Sequence, residues 1–223
     1  MVKPAVVLFD LDDTLFSEST YLFSVVKNYF SVNGNNVLIP VDFKNRIVTL
    51  RQERKDILGA ILNDLNMDYS QHHDALFEEY CNHDLRIKPF DGVNELISQL
   101  LNLKLRIVVL TNGVIESQAS KWKALEIARK DEIHFYIARS LGGDKPREET
   151  FESVLSELGY EWNQVVAVGD KLANDISYPV SRGAVGFLLG GNDKGGKHLH
   201  DRIQTVENFQ DLANKLIQVG IDA

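Results

Sequence analysis

Residues 5 to 15, AVVLFDLDDTL, end an apolar β-type run in a carboxylate, skip one residue, add two more carboxylates and close on Thr14. On an extended strand end, side chains two apart share a face, so Asp10 and Asp12 point to the same side. That spacing sets a nucleophile beside its own general acid. Two such carboxylates repel unless protons or a cation offset their charge, and a magnesium site is the simplest explanation. The competing explanation is an acidic turn after a buried strand, because Asp and Thr are ordinary turn formers. Three further pieces bear on the choice: LTNG at 110 to 113, DKP at 144 to 146 and GDKLAND at 169 to 175.

Elements of regular structure must bring these pieces together. Ala5 to Phe9, Leu105 to Leu110, Val165 to Val168 and Ala184 to Leu189 are short runs rich in Val, Ile and Leu without polar alternation, as expected of strands buried on both faces. Helical periodicity lies between and after them, at Val93, Leu96, Ile97 and Leu100, at Phe151, Val154, Leu155 and Leu158, and at Phe209, Leu212 and Leu216. Alternation of strand and helix implies an α/β fold with a parallel sheet. Ligands of such sheets gather at the carboxyl ends of strands, where this chain places Asp10, then Thr111 with Asn112 and Gly113, then Gly169 with Asp170. From Phe16 to Lys88 the rhythm breaks into helices, with one stripe at Leu22, Val25, Val26 and Tyr29. Pro89 and Asp91-Gly92 mark the return. Residues 1–16 and 89–223 are therefore expected to form the core and 17–88 an inserted helical cap.

A chain of 223 residues, 44% hydrophobic and 25% charged, suits one large core with a small appendage. No apolar stretch reaches the ~18 residues that would cross a bilayer, and no signal-type segment opens the chain, so a cytoplasmic protein without a membrane role is expected. The single cysteine, Cys81, sits in a polar context and reads as a structural thiol. A formal charge of −8 with no basic stripe disfavours nucleic acid and leaves a small molecule as the expected partner. The oligomeric state, monomer or homodimer, is open.

In order, DLDDT, LTNG, DKP and GDKLAND resemble the motif set of the haloacid dehalogenase superfamily, and the resemblance covers nearly the whole chain. It implies a Rossmann-like three-layer sandwich with a mostly parallel sheet, a small α-helical cap inserted between the first and second motifs, and a magnesium-dependent phosphatase of a small phosphomonoester. On that resemblance Asp10 attacks phosphorus to give an aspartyl-phosphate, and Asp12 protonates the leaving oxygen and later deprotonates water. Thr111, with the Asn112 and Gly113 amides, holds phosphoryl oxygens, and Lys145 stabilises the charge that develops. Magnesium prefers six oxygens, which Asp10, the Asp12 carbonyl, Asp170 and a phosphate oxygen begin to supply, with Asp175 acting directly or through water. Asp13 points the other way and belongs to a turn.

Two departures stand out. Glu148 occupies a place where family members often carry a second proline, and Lys171 follows Asp170 where Ser or Thr is frequent; the latter reads as a solvated side chain able to adjust metal affinity. Dehalogenases of the superfamily lack the second aspartate, so Asp12 favours phosphoryl transfer. A phosphomutase needs it too, and stays open as an alternative. A phosphorylated signalling receiver is disfavoured, since its aspartate lies on a later strand.

Other candidates read as ordinary structure. Gly191 to Lys197 fits G-x-x-x-x-G-K but is followed by His198 instead of Ser or Thr, and His198 with His200 lacks a third metal partner. His72, His73, Arg51, Arg54 and Lys55 read as a solvated cap face, with one of the cations a possible substrate contact. Trp122 and Trp162 read as packing residues. Tyr21, Phe23, Tyr29 and Phe30 form the core of the cap or line its opening.

Overall fold

The computed structural model describes residues 3–32, 37–53, 56–83, 85–190 and 201–221. In chain order the elements are β1 (Val6–Phe9), α1 (Glu18–Val32), α2 (Phe43–Glu53), α3 (Ile57–Asp64), α4 (Tyr69–Asn82), α5 (Val93–Asn102), β2 (Arg106–Thr111) and α6 (Ile115–Ala124). They continue with β3 (Ile133–Ile137), α7 (Glu148–Leu158), β4 (Val165–Gly169), α8 (Ser177–Ser181), β5 (Val185–Leu189), β6 (Ile203–Val206) and α9 (Phe209–Gln218). The chain divides into two compact units. One comprises Met1–Phe16, Lys88–Ile115 and Leu125–Ala223, the other Ser17–Ile87 and Glu116–Ala124.

The first unit is built on a six-stranded sheet in the order β3-β2-β1-β4-β5-β6. Every pairing is parallel. This is a doubly wound α/β arrangement whose strand order reverses at β1, the position where such sheets open a crevice beyond the strand ends. Strands β1 and β4 are buried at every residue, as their unbroken apolar runs require. On one side Val6, Leu8, Val108 and Leu110 pack with Phe151, Val154, Leu155 and Trp162 of the α7 region. Trp162 Nε1 and the Tyr178 hydroxyl each donate to Glu152 Oε1 at 2.8 Å, so the packing indole also has its polar atom satisfied.

Two strands lie outside the four apolar runs, β3 and β6, and both are edges. Their sequences, IHFYI and IQTV, are only partly buried, so neither shows the continuous apolar signature of a central strand. The α9 helix after β6 starts where the Asn208 side chain accepts from the Asp211 backbone N–H at 2.9 Å.

The second unit is helical. Tyr21, Leu22, Val25, Val26, Tyr29 and Phe30 of α1 are buried with Ile47, Leu50, Ile61, Leu62 and Leu76 of α2, α3 and α4. Asp56 and Asp68 cap α3 and α4, each accepting a backbone N–H at 2.9 Å. The unit takes in more chain than residues 17–88, because Glu116–Ala124 of α6 groups with it. Lys121 explains the grouping. Its side chain is wholly buried, its ammonium lies 2.7 Å from Glu18 Oε1, and it sits 5.4 and 5.0 Å from the ring centroids of Tyr21 and Tyr80.

Two polar residues expected on a solvated face have partners in this unit, Arg51 partly buried and His72 buried. Arg51 donates to Glu18 Oε2 and, at 3.1 Å, to Ser19 Oγ, so its charge is spent on the α1 start. His72 is buried against Phe30 with Nδ1 3.0 Å from the Tyr29 hydroxyl. A polar atom can enter a core when a partner waits there, which helical periodicity alone does not reveal. Cys81 is buried and unbridged. Arg54, Lys55, the Gly191 to Lys197 segment, His198 and His200 lie outside the described residues.

Candidate active site

The register of the central strands decides what meets at the crevice. Phe9 pairs with Val109 on one side and Val168 on the other, so the next residues, Asp10, Leu110 and Gly169, come level at the carboxyl edge. The Asp10 backbone N–H closes the ladder on Val168 O at 2.9 Å. Past it the chain turns sharply: Asp13 adopts φ 58°, a conformation that Asp tolerates, and its N–H bonds Phe16 O at 2.9 Å.

Lys145 arrives from the segment before α7 and is buried. Its ammonium donates to Asp10 Oδ1 at 2.6 Å, Leu110 O at 2.7 Å and Asp175 Oδ1 at 2.8 Å, which uses all three of its protons. Burial alone would depress the Lys145 pKa, but Asp10 and Asp175 outweigh it and hold the amine charged. The same burial pushes the Asp10 carboxyl up to about 7, with repulsion from Asp175 and Asp12 adding to it and Lys145 opposing. Asp10 Oδ2 receives a longer 3.3 Å bond from the buried Thr14 hydroxyl.

At the end of β4, Gly169 is required by close approach. A Cβ there would stand 2.4 Å from Asp175 Cβ and 2.5 Å from Asp175 Oδ2. Asp175 is thereby packed against the strand with its oxygens placed, Oδ1 on Lys145 and Oδ2 on the Lys171 backbone N–H at 3.0 Å. Asp170 differs. Its Oδ1 is buried without a hydrogen-bond partner, and burial, with repulsion from Asp175 and Asp13 and against the pull of Lys171, pushes its carboxyl up to about 6.

Oxygens of Asp10, Asp170 and Asp175 all lie within 4.8 Å of one another. Three converging carboxylates, one of them with an orphaned oxygen, form a hard all-oxygen donor set that fits a divalent cation of the magnesium type. Asp12 stands next to this group, partly buried, in an isolated bridge to Phe16.

The second strand end carries Thr111, which is buried, with its hydroxyl 3.2 Å from the Asn112 carbonyl. The Asn112 side chain reaches the Lys145 backbone instead, accepting from its N–H at 2.7 Å and donating to its carbonyl at 3.0 Å. Gly113 has φ 131°, which only glycine adopts readily. Asp10, Lys145 and Asp175 thus touch directly, Asp170 adjoins them, and Asn112 joins through the Lys145 backbone. Among the described residues the Thr111 hydroxyl bonds the Asn112 carbonyl and makes no hydrogen bond to Asp10, Lys145, Asp170 or Asp175. Three contributors lie outside the expected catalytic, phosphate-binding and metal residues: Thr14, Leu110 through its carbonyl, and Gly169 through its missing side chain. Thr14 and Gly169 lie inside motifs already singled out, whereas nothing in a Leu codon of a strand marks its carbonyl as an acceptor.

A family model for haloacid dehalogenase-like hydrolases matches residues 7–180. The chain is 24% identical over 227 residues to a glyceraldehyde 3-phosphate phosphatase of Methanocaldococcus jannaschii, covering 93% of this chain and 95% of that protein. It is 24% identical over 202 residues to pyrophosphatase PpaX of Halalkalibacterium halodurans, covering 84% of this chain and 86% of that one. Among solved structures, the HAD-hydrolase YfnB of Bacillus subtilis, bound to magnesium, is similar with a TM-score of 0.71 at 18% identity, over 96% of this chain and 99% of that one, a likeness of fold.

Proposed function

The chain belongs to the haloacid dehalogenase-like hydrolases, and on that premise we propose that it is a magnesium-dependent phosphatase of a small phosphomonoester, working through an aspartyl-phosphate on Asp10. The observation that carries this is the division of labour between the two Asp10 oxygens. Oδ1 is held by the Lys145 ammonium at 2.6 Å, while among the described residues Oδ2 receives the longer 3.3 Å bond from the Thr14 hydroxyl. One oxygen is anchored and the other is offered to an electrophile, as a positioned nucleophile requires.

Attack by Asp10 on phosphorus transfers the phosphoryl group to its carboxylate, and Asp12 gives a proton to the departing alkoxide. Asp12 then takes a proton from water as that water attacks phosphorus and releases phosphate. Lys145 stays bound to Asp10 and offsets the charge that spreads over the phosphoryl oxygens in the transition state. The Thr111 hydroxyl and the backbone amides of Asn112 and Gly113 receive those oxygens. Asp10, the Asp12 carbonyl and Asp170 would hold magnesium, with Asp175 acting directly or through water; when bound, the ion supplies charge neutralisation and alignment of the phosphoryl group. The helical insertion is assigned the role of cap, the part that chooses the substrate.

The phosphatases among its relatives act on glyceraldehyde 3-phosphate and, by name, pyrophosphate, so a small phosphorylated metabolite is the substrate class proposed here. The test is a panel of phosphorylated metabolites assayed with magnesium for released phosphate, with Asp10→Asn as control. Magnesium-dependent release that disappears in Asp10→Asn is expected. Turnover persisting in that variant would overturn the assignment, and an isomerised product in place of free phosphate would make the chain a phosphomutase.

A further inference from the structure

Lys171 lies beside the carboxylate cluster at the end of β4. The residue is anchored at its backbone, where its N–H donates to Asp175 Oδ2 at 3.0 Å and its carbonyl accepts from the Asp175 N–H at 2.9 Å. Its side chain is about half exposed, and the ammonium comes 3.6 Å from Asp170 Oδ2. The other oxygen of the same carboxylate, Oδ1, is the buried atom without a partner. Asp170 is therefore approached on one oxygen by a positive charge and has no hydrogen-bond partner on the other.

Resting on the metal site proposed above, we propose that Lys171 is a tethered counter-ion to the carboxylate cluster that opposes divalent-cation binding, so that this chain takes magnesium more weakly than it would with a neutral residue at position 171. The physics has two sides. Without the cation, the ammonium relieves repulsion among Asp10, Asp170 and Asp175. With it, a unit positive charge on the same carboxylate repels the ion, and so close a charge changes affinity by about three- to ten-fold in a partly hydrated setting. Lys145 also sets a positive charge against Asp10 and Asp175, but it is built into the site, whereas Lys171 is the cation that meets Asp170. The ammonium of Lys171 reaches the cluster from the solvent side, where salt screens it.

The experiment is calorimetric titration of magnesium chloride into the full chain without substrate, for the wild type, Lys171→Ser, Lys171→Gln, Lys171→Arg and Asp170→Asn. Both neutral variants are expected to bind magnesium about three- to ten-fold more tightly than the wild type, with the gap narrowing as sodium chloride is raised. Lys171→Arg, which keeps the charge, is expected to stay within about two-fold of the wild type. In chelator, the neutral variants should melt lower than the wild type and gain more on adding magnesium. Equal or weaker magnesium binding by both neutral variants overturns the role of Lys171. Wild-type binding that Asp170→Asn leaves unchanged would instead overturn the metal site on which it rests, so the two failures are distinguishable.

Discussion

The Asn112 side chain grips the backbone of Lys145 on both sides, accepting its N–H at 2.7 Å and donating to its carbonyl at 3.0 Å. The residue that follows the β2 strand end thus fixes the height at which the Lys145 amine enters the site. Asn112→Ala leaves the amine present but its backbone unlatched. The expected result is a fall in kcat for phosphate release of about ten-fold or more, with a loss of roughly 1–2 kcal/mol in stability for the two bonds. Urea unfolding and steady-state assays on the same preparation check both parts.

Lys145→Met removes the only cation that touches Asp10 and Asp175 among the described residues. Two buried carboxylates then face each other uncompensated. Breaking a buried pair from one side costs about 3–5 kcal/mol, and loss of the transition-state charge partner lowers kcat by about 10²–10³-fold or more. Chemical denaturation in chelator should show the first effect. If the variant were as stable as the wild type there, the three-acceptor arrangement would be wrong.

Gly169→Ala tests close approach without touching a charge. Its Cβ would meet Asp175 Cβ at 2.4 Å, a contact that forces the β4 end and the following turn apart. A loss of about 1–3 kcal/mol in stability is expected, together with weaker magnesium binding as Asp175 shifts. Thermal melts with and without magnesium report both.

The helical unit carries its own pH dependence. Burial raises the Glu18 pKa, but Lys121 and Arg51 outweigh it and bring it from 4.5 down to about 2. A carboxyl whose folded pKa is depressed contributes stability in full above its unfolded value and loses it as pH falls toward the folded value. The window therefore runs from about pH 4.5 to about pH 2. Glu18→Gln should be destabilised at pH 7 by about 3–5 kcal/mol, since it removes the carboxylate that faces the buried Lys121, and should converge on the wild type near pH 2. Unfolding curves across that range decide it, and parallel curves would refute the assignment.

The central strands and the chemistry at their ends are legible in the sequence for one reason. A strand covered on both faces admits only apolar side chains, so the polar residues just past Phe9, Leu110 and Gly169 stand out as strand ends. Asp10, Thr111 and Asp170 are proposed on that ground, and the spacing of DLDDT adds Asp12. The edge strands β3 and β6 are not legible, because an edge is half solvated and carries mixed sequence. Arg51 and His72 likewise sit at positions where helical periodicity shows a polar residue but not the partner that draws it inside.

What sequence alone determined is the inventory: a parallel α/β sheet, a helical insertion, the acids and hydroxyl at or just past its strand ends, and an amine in the loop before α7. Tertiary structure alone decided the pairings. Lys145 meets Asp10 across 135 residues and Asp175 across 30, and Lys121 meets Glu18 across 103. Local composition reports whether a side chain wants water. It holds no information on which distant charge will neutralise it, since that depends on strand register and on the close approach that Gly169 permits.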